Sequence, residues 1–134
     1  MDWKIEVVVV PVSDVDRAKH FYSEQVGFHV DTDRTFNEQF RVVQMTPPGS
    51  ACSVTIGTGL AAMPPGSLKG LQLTVPDIEA ARAQLVEGGV EVSPVQHFDD
   101  GVPSEGAGGD WNSFIFFSDP DGNAWSVQQV PARG

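Results

Sequence analysis

The sequence predicts an α+β fold built from two βαβββ modules, and three observations carry that prediction. Residues 5–10 are β-branched apart from Glu6, a nearly continuous apolar run of the kind that forms a strand covered on both faces. The stretch Val12-Ser13-Asp14-Val15-Asp16-Arg17-Ala18-Lys19 lines up with Val75-Pro76-Asp77-Ile78-Glu79-Ala80-Ala81-Arg82 at an offset of 63 residues. In both halves the order is strand, Asp-capped helix, glycine, strand, so one supersecondary unit occurs twice.

Each element has its own local reason. Ser13 is a good N-cap, with Asp16 three residues on in an imperfect capping box. Val15, Ala18, Phe21, Tyr22 and Val26 follow helical spacing and Gly27 suits the position past a helix end. A helix is therefore expected over 14–26. Residues 28–31 and 39–46 read as strands, Pro47-Pro48-Gly49-Ser50 as a turn, and 52–57 as a half-buried strand. Residues 58–69, with Gly59, Pro64, Pro65 and Gly66, form the linker between module 1 (about 4–57) and module 2 (about 70–130) of a single domain. In module 2, residues 90–96 read as a strand. Residues 98–112 read as a long acidic, Gly-rich loop, and 113–118 and 124–130 as strands around the turn Asp119-Pro120-Asp121-Gly122-Asn123. In that turn Pro fixes φ, and Gly-Asn accepts positive φ.

Composition narrows the class. The 134 residues are 40% hydrophobic, enough for a packed core at this length. The 14 Gly and 10 Pro are turn-rich but fall short of the roughly 25–30% that marks disorder. The net charge of −10 argues against nucleic acid and anionic membrane surfaces as partners. A single cysteine, Cys52, cannot form an internal disulfide and fits a reducing compartment; it reads as a small buried residue. No apolar run approaches the roughly 18 residues of a spanning helix, and no signal peptide is visible at the N-terminus. A cytoplasmic protein is expected.

With these motifs in order, the sequence resembles the vicinal oxygen chelate superfamily, which includes glyoxalase I, bleomycin-resistance proteins and type I extradiol dioxygenases. The residues that carry the resemblance are Val12-Ser13-Asp14 followed by Phe21-Tyr22, Val75-Pro76-Asp77-Ile78-Glu79-Ala80-Ala81, and Asp119-Pro120-Asp121-Gly122-Asn123. The resemblance spans residues 5–130. It implies two modules whose curled mixed sheet surrounds a shared cavity with helices outside, and a homodimer, in some relatives with modules exchanged.

Enzymes of that superfamily hold a divalent metal with His and Glu side chains from four strands. By the resemblance, those positions are here Val7, Thr55, Gly70 and Ser126. Val and Gly cannot ligate, and hydroxyls are poor ligands beside imidazole and carboxylate. No metal and no other cofactor is expected. His20, His29 and His97 show no ligand spacing, and His20 and His29 read as exposed.

Strand alternation then sketches the cavity. By the same analogy Val7, Val9, Ser53, Thr55, Gln72, Thr74, Ser126 and Gln128 face inward. The wholly apolar set Val8, Val10, Val54, Ile56, Leu71, Leu73, Trp125 and Val127 faces the helices. Apolar walls with a few neutral hydrogen-bonding groups suit a small organic ligand. In the strand 113–118 either Phe114 with Phe116 or Ile115 with Phe117 points inward. Trp111, in the acidic loop, either closes over a ligand or packs on a dimer partner. The candidate ligand-binding set is Val7, Thr55, Gln72, Thr74, Trp111, Phe116, Ser126 and Gln128. His97 and Arg41 are the candidate acid–base or anion-pairing groups.

Two functions compete. The first is metal-independent binding of a small organic molecule, in a resistance or natural-product setting. The alternative is an enzyme of the superfamily, a lyase, isomerase, cyclase or glyoxalase- or dioxygenase-like protein, acting on a small organic substrate.

Overall fold

The computed structural model describes residues 1–60 and 62–131. It is an α+β fold of two mixed sheets, of four and five strands, with two helices among the described residues. The chain divides into two compact units. Unit 1 is Met1–Leu68 with Asp119–Asn123, and unit 2 is Lys69–Ser118 with the chain from Ala124 onward.

Unit 1 contains β1 (Val7–Val9), α1 (Val15–His20), β2 (His29–Asn37), β3 (Phe40–Thr46) and β4 (Ser53–Thr58), with sheet order β1-β4-β3-β2. β1 runs parallel to β4, and the other pairs are antiparallel. The helix expected over 14–26 is present with two differences. Its N-cap is Asp14, whose carboxylate accepts the Arg17 amide at 3.1 Å, and not Ser13. Ser13 is diverted because both its amide (3.1 Å) and its hydroxyl (2.6 Å) donate to Asp121. Beyond His20 the helix continues as a π-helical segment, Phe21–Val26, ending at Gly27 with φ of 95°. That segment turns Phe21, Tyr22 and Val26 into the core beside Phe28, Val43, Met45 and Ile56. The Tyr22 and Phe28 rings stack at 5.7 Å.

Unit 2 contains β5 (Lys69–Val75), α2 (Ile78–Glu87), β6 (Gln96–Asp99), β7 (Val102–Glu105), β8 (Phe114–Ser118) and β9 (Ala124–Gln129), in the order β5-β9-β8-β6-β7. Asp77 caps α2 as Asp14 caps α1, accepting the Ala80 amide at 3.1 Å. Ile78, Leu85, Ile115, Phe117, Trp125 and Val127 are buried, and the Phe117 and Trp125 rings stack at 6.0 Å.

Two expectations for this half are corrected. The strand expected over 90–96 reduces to a single bridge, Val92 to Phe117, before β6 begins at Gln96. The acidic segment 98–112 is not all loop, because β6 and β7 form a hairpin inside it. The turn is Asp100-Gly101, both at positive φ (51° and 80°), as a two-residue turn between twisted strands requires. The second half therefore has one more strand than the first.

The Asp119–Asn123 turn is also more than a turn. Gly122 takes positive φ (98°), but Asn123 does not. The Asn123 side chain is fully buried instead. It donates to the Pro11 carbonyl (2.8 Å) and to Asp119 (2.7 Å), and accepts the Leu68 amide (3.1 Å).

Candidate functional site

Strand register sorts the predicted residues. Phe114 lies opposite Gln128 and Phe116 opposite Ser126, while Ser126 and Gln128 lie opposite Gln72 and Thr74 on the other flank. Residues opposite one another share a face. Gln72, Thr74, Phe114, Phe116, Ser126 and Gln128 therefore form one continuous face of the unit 2 sheet. The register also decides between the two aromatic pairs: Ile115 and Phe117 are buried on the helix side, and Phe114 and Phe116 are half-buried on this face. Their rings stack at 6.2 Å and 14°, and Phe98 meets Phe114 edge-on at 5.4 Å.

Trp111 joins this face through its backbone. Its carbonyl accepts a hydrogen bond from Gln128 Nε2 at 2.8 Å, while the residue is 51% exposed and sits at φ of 60°. Left-handed backbone is uncommon for a bulky side chain. The surrounding loop holds it there. Asn112 accepts the Phe98 amide and donates to the Phe98 carbonyl, both at 2.9 Å, and the Gly108 amide donates to Ser113 Oγ at 3.0 Å.

The other two predicted ligand-binding residues belong to unit 1. Val7 is exposed and pairs with Ser53; Thr55 is buried and pairs with Val9. A surface pocket of about 220 Å³ in the same unit, walled by Pro11, Val15, Gly57 and Met63, contains neither of them. It is smaller than the roughly 300 Å³ at which small-molecule clefts begin.

The two acid–base candidates are placed elsewhere. Arg41 shares its side of β3 with buried Val43 and Met45, toward α1. It grips Asp33 with two hydrogen bonds (3.0 and 2.9 Å) and Asp16 with a third (2.8 Å), and Lys19 reaches Asp33 at 2.7 Å. These bonds raise the Arg41 pKa further, and the Arg41 and Lys19 bonds hold Asp33 at about 2. His97 alternates with Gln96 and Phe98, so it points away from the side of β6 that continues the face. Its Nδ1 meets the Gly106 carbonyl at 2.9 Å and its Nε2 meets Asp99 at 3.2 Å. The Gly106 carbonyl, and then Asp99, raise its pKa against the opposing effect of desolvation. Cys52 is half-buried, and His20 and His29 are exposed.

The glyoxalase/bleomycin resistance protein/dioxygenase superfamily model matches residues 4–127. The chain belongs to this superfamily. Among superfamily members of known structure it resembles TnmS3, an antibiotic binding protein from Streptomyces sp. CB03234. The identity is 35%, covering 97% of this chain and 98% of that one, with a TM-score of 0.77. A superfamily member from Sphaerobacter thermophilus DSM 20745 is 27% identical over 96% of this chain and 98% of its own, with a TM-score of 0.76. YetH of Bacillus subtilis (strain 168) is 26% identical over 94% of this chain and 98% of its own length.

The superfamily's metal does not fit the residues present. Val7 and Gly70 offer no donor atom, and Thr55 and Ser126 offer only neutral hydroxyls. Ser126 Oγ already donates to Gln72 at 3.2 Å. Among the described residues no three His, Cys, Asp or Glu side chains gather as a metal site requires. Among the described residues no helix is long and apolar enough to cross a membrane.

Proposed function

We propose that this protein binds a small, planar organic molecule on the Phe114/Phe116 face of unit 2, and does so without a metal. One observation carries the reading. Two stacked, half-buried phenylalanine rings share a sheet face with an uncharged row of amides and hydroxyls. Rings supply apolar contact and stacking, and neutral polar groups supply orientation. Val7 and Thr55 remain ligand-binding candidates within unit 1 taken by itself, and Trp111 covers the ligand at the loop end of the unit 2 face. Similarity to an antibiotic binding protein supports sequestration of a natural product as the biological setting. In this reading the protein is a cytoplasmic homodimer, and its two modules, about 4–57 and 70–130, form a single domain joined by the 58–69 linker.

The enzyme alternative has less behind it. Arg41 is committed to Asp33 and Asp16, and both ring nitrogens of His97 are already engaged. Thermal-shift screening of planar aromatic compounds, with and without chelator, tests the proposal, since a ligand stabilises the folded state by mass action. A shift that survives chelator, with the compound recovered unchanged after incubation, supports metal-free binding. A melting point or a shift that chelator lowers overturns metal independence, and a new product overturns sequestration.

A further inference from the structure

The side chains of Ser126, Gln72 and Gln128 form one directed chain of hydrogen bonds. Ser126 Oγ donates to Gln72 Oε1 at 3.2 Å, Gln72 Nε2 donates to Gln128 Oε1 at 2.8 Å, and Gln128 Nε2 donates to the Trp111 carbonyl at 2.8 Å. The last bond fixes the direction of all three. A backbone carbonyl only accepts, so Gln128 must turn its NH2 toward Trp111 and its oxygen toward Gln72. Gln72 must then present its own NH2 to that oxygen, and its oxygen is left for the serine hydroxyl.

The direction determines what the face offers a ligand. A primary amide has two N–H donors, and each glutamine spends one within the chain. Each keeps one N–H, while the Ser126 hydroxyl hydrogen is spent. A covered N–H left unsatisfied is the costlier defect, because a carbonyl with one of two lone pairs used is tolerated more readily. Both glutamine oxygens already accept a bond, which polarises the N–H groups and strengthens them as donors. Gln72, Ser126, Gln128, Phe114 and Phe116 carry no formal charge that would select an ion.

We infer that Gln72 and Gln128 are specificity-determining residues, and that the ligand class is planar aromatic compounds bearing carbonyl oxygens on the ring edge. This rests on the proposed binding face: the rings of Phe114 and Phe116 take the aromatic plane, and the two amides take the oxygens.

The pair 9-fluorenone and fluorene isolates the carbonyl, since the two share a planar tricyclic frame. Equilibrium dialysis of the full chain should give fluorenone about tenfold tighter binding than fluorene. Gln72→Met and Gln128→Met should each cut that preference several-fold, read as the ratio of the two affinities within each variant. Glu87→Gln, at an exposed position of α2 outside the face, should retain the preference, and circular dichroism of all three variants confirms the fold. Equal binding of the two compounds, or a preference that survives in both Gln variants, overturns this inference and leaves the binding face standing. Failure of both compounds to bind overturns the inference and the proposed face together.

Discussion

Tyr22 donates its phenolic hydrogen to Asp119 Oδ2 at 2.6 Å, and both residues are buried, 97 positions apart in sequence. The Asp119 carboxylate also accepts from the Asn123 side chain (2.7 Å), the Asn123 amide (2.9 Å) and the Asp121 amide (3.0 Å). Every lone-pair direction of the carboxylate is used. Tyr22→Phe removes one partner of a buried charged group and should cost about 2 kcal/mol. Asn123→Ala removes three hydrogen bonds at a site with no access to water and should cost more, about 3 kcal/mol. Urea unfolding of the two variants checks the size and the order.

The Arg41–Asp33 pair predicts a specific acid response. Arg41 first, and Lys19 second, hold the Asp33 carboxyl at about 2 instead of 3.8. A depressed carboxylate stabilises the fold above its unfolded value, and that contribution is lost as pH falls from about 3.8 through about 2. Arg41→Met should bring the Asp33 midpoint back toward 3.8, read by carbon NMR of the side-chain carboxyl. Binding of planar aromatics should not change, because Arg41 lies on the α1 side of its sheet.

His97 responds in the opposite direction. Its ring nitrogens face a carbonyl and a carboxylate, two acceptors, and only the imidazolium satisfies both. Its folded pKa is raised, so its contribution is fully present below the unfolded value near 6.5. It is lost as pH rises through the higher folded value. His97→Gln should flatten the fall in stability across that window, measured by denaturant midpoints at stepped pH. An unchanged pH profile in the variant would exclude this role.

Much of this was legible because it rests on short-range rules. Asp14 and Asp77 recur at matched places in the repeat, and both cap helices. Period-two alternation separated Gln72, Thr74, Ser126 and Gln128 from Leu71, Leu73, Trp125 and Val127. What escaped depends on pairing between distant segments. Whether Phe116 or Phe117 shares the polar face follows from the Phe116–Ser126 register, which alternation alone does not supply. Arg41 resembles an available cation until the β2–β3 hairpin sets Asp33 beside it. The β6–β7 hairpin had a local signal, Asp100-Gly101, hidden among the acidic and glycine residues around it.

Trp111 joins strain to exposure, and this predicts that stability and binding move apart at one position. Its φ of 60° is unfavourable for a bulky residue, at about 1 kcal/mol, and half of its surface is exposed to solvent. Asparagine tolerates the left-handed conformation better, because its short side chain bonds locally. Trp111→Asn keeps the carbonyl that accepts from Gln128 and removes only the ring. Stability should stay level or rise by up to about 1 kcal/mol in urea unfolding. Affinity for 9-fluorenone should fall several-fold in the same preparation if the ring covers the bound ligand. A variant both more stable and equally tight-binding would remove Trp111 from the binding face and leave its strain without a functional reason.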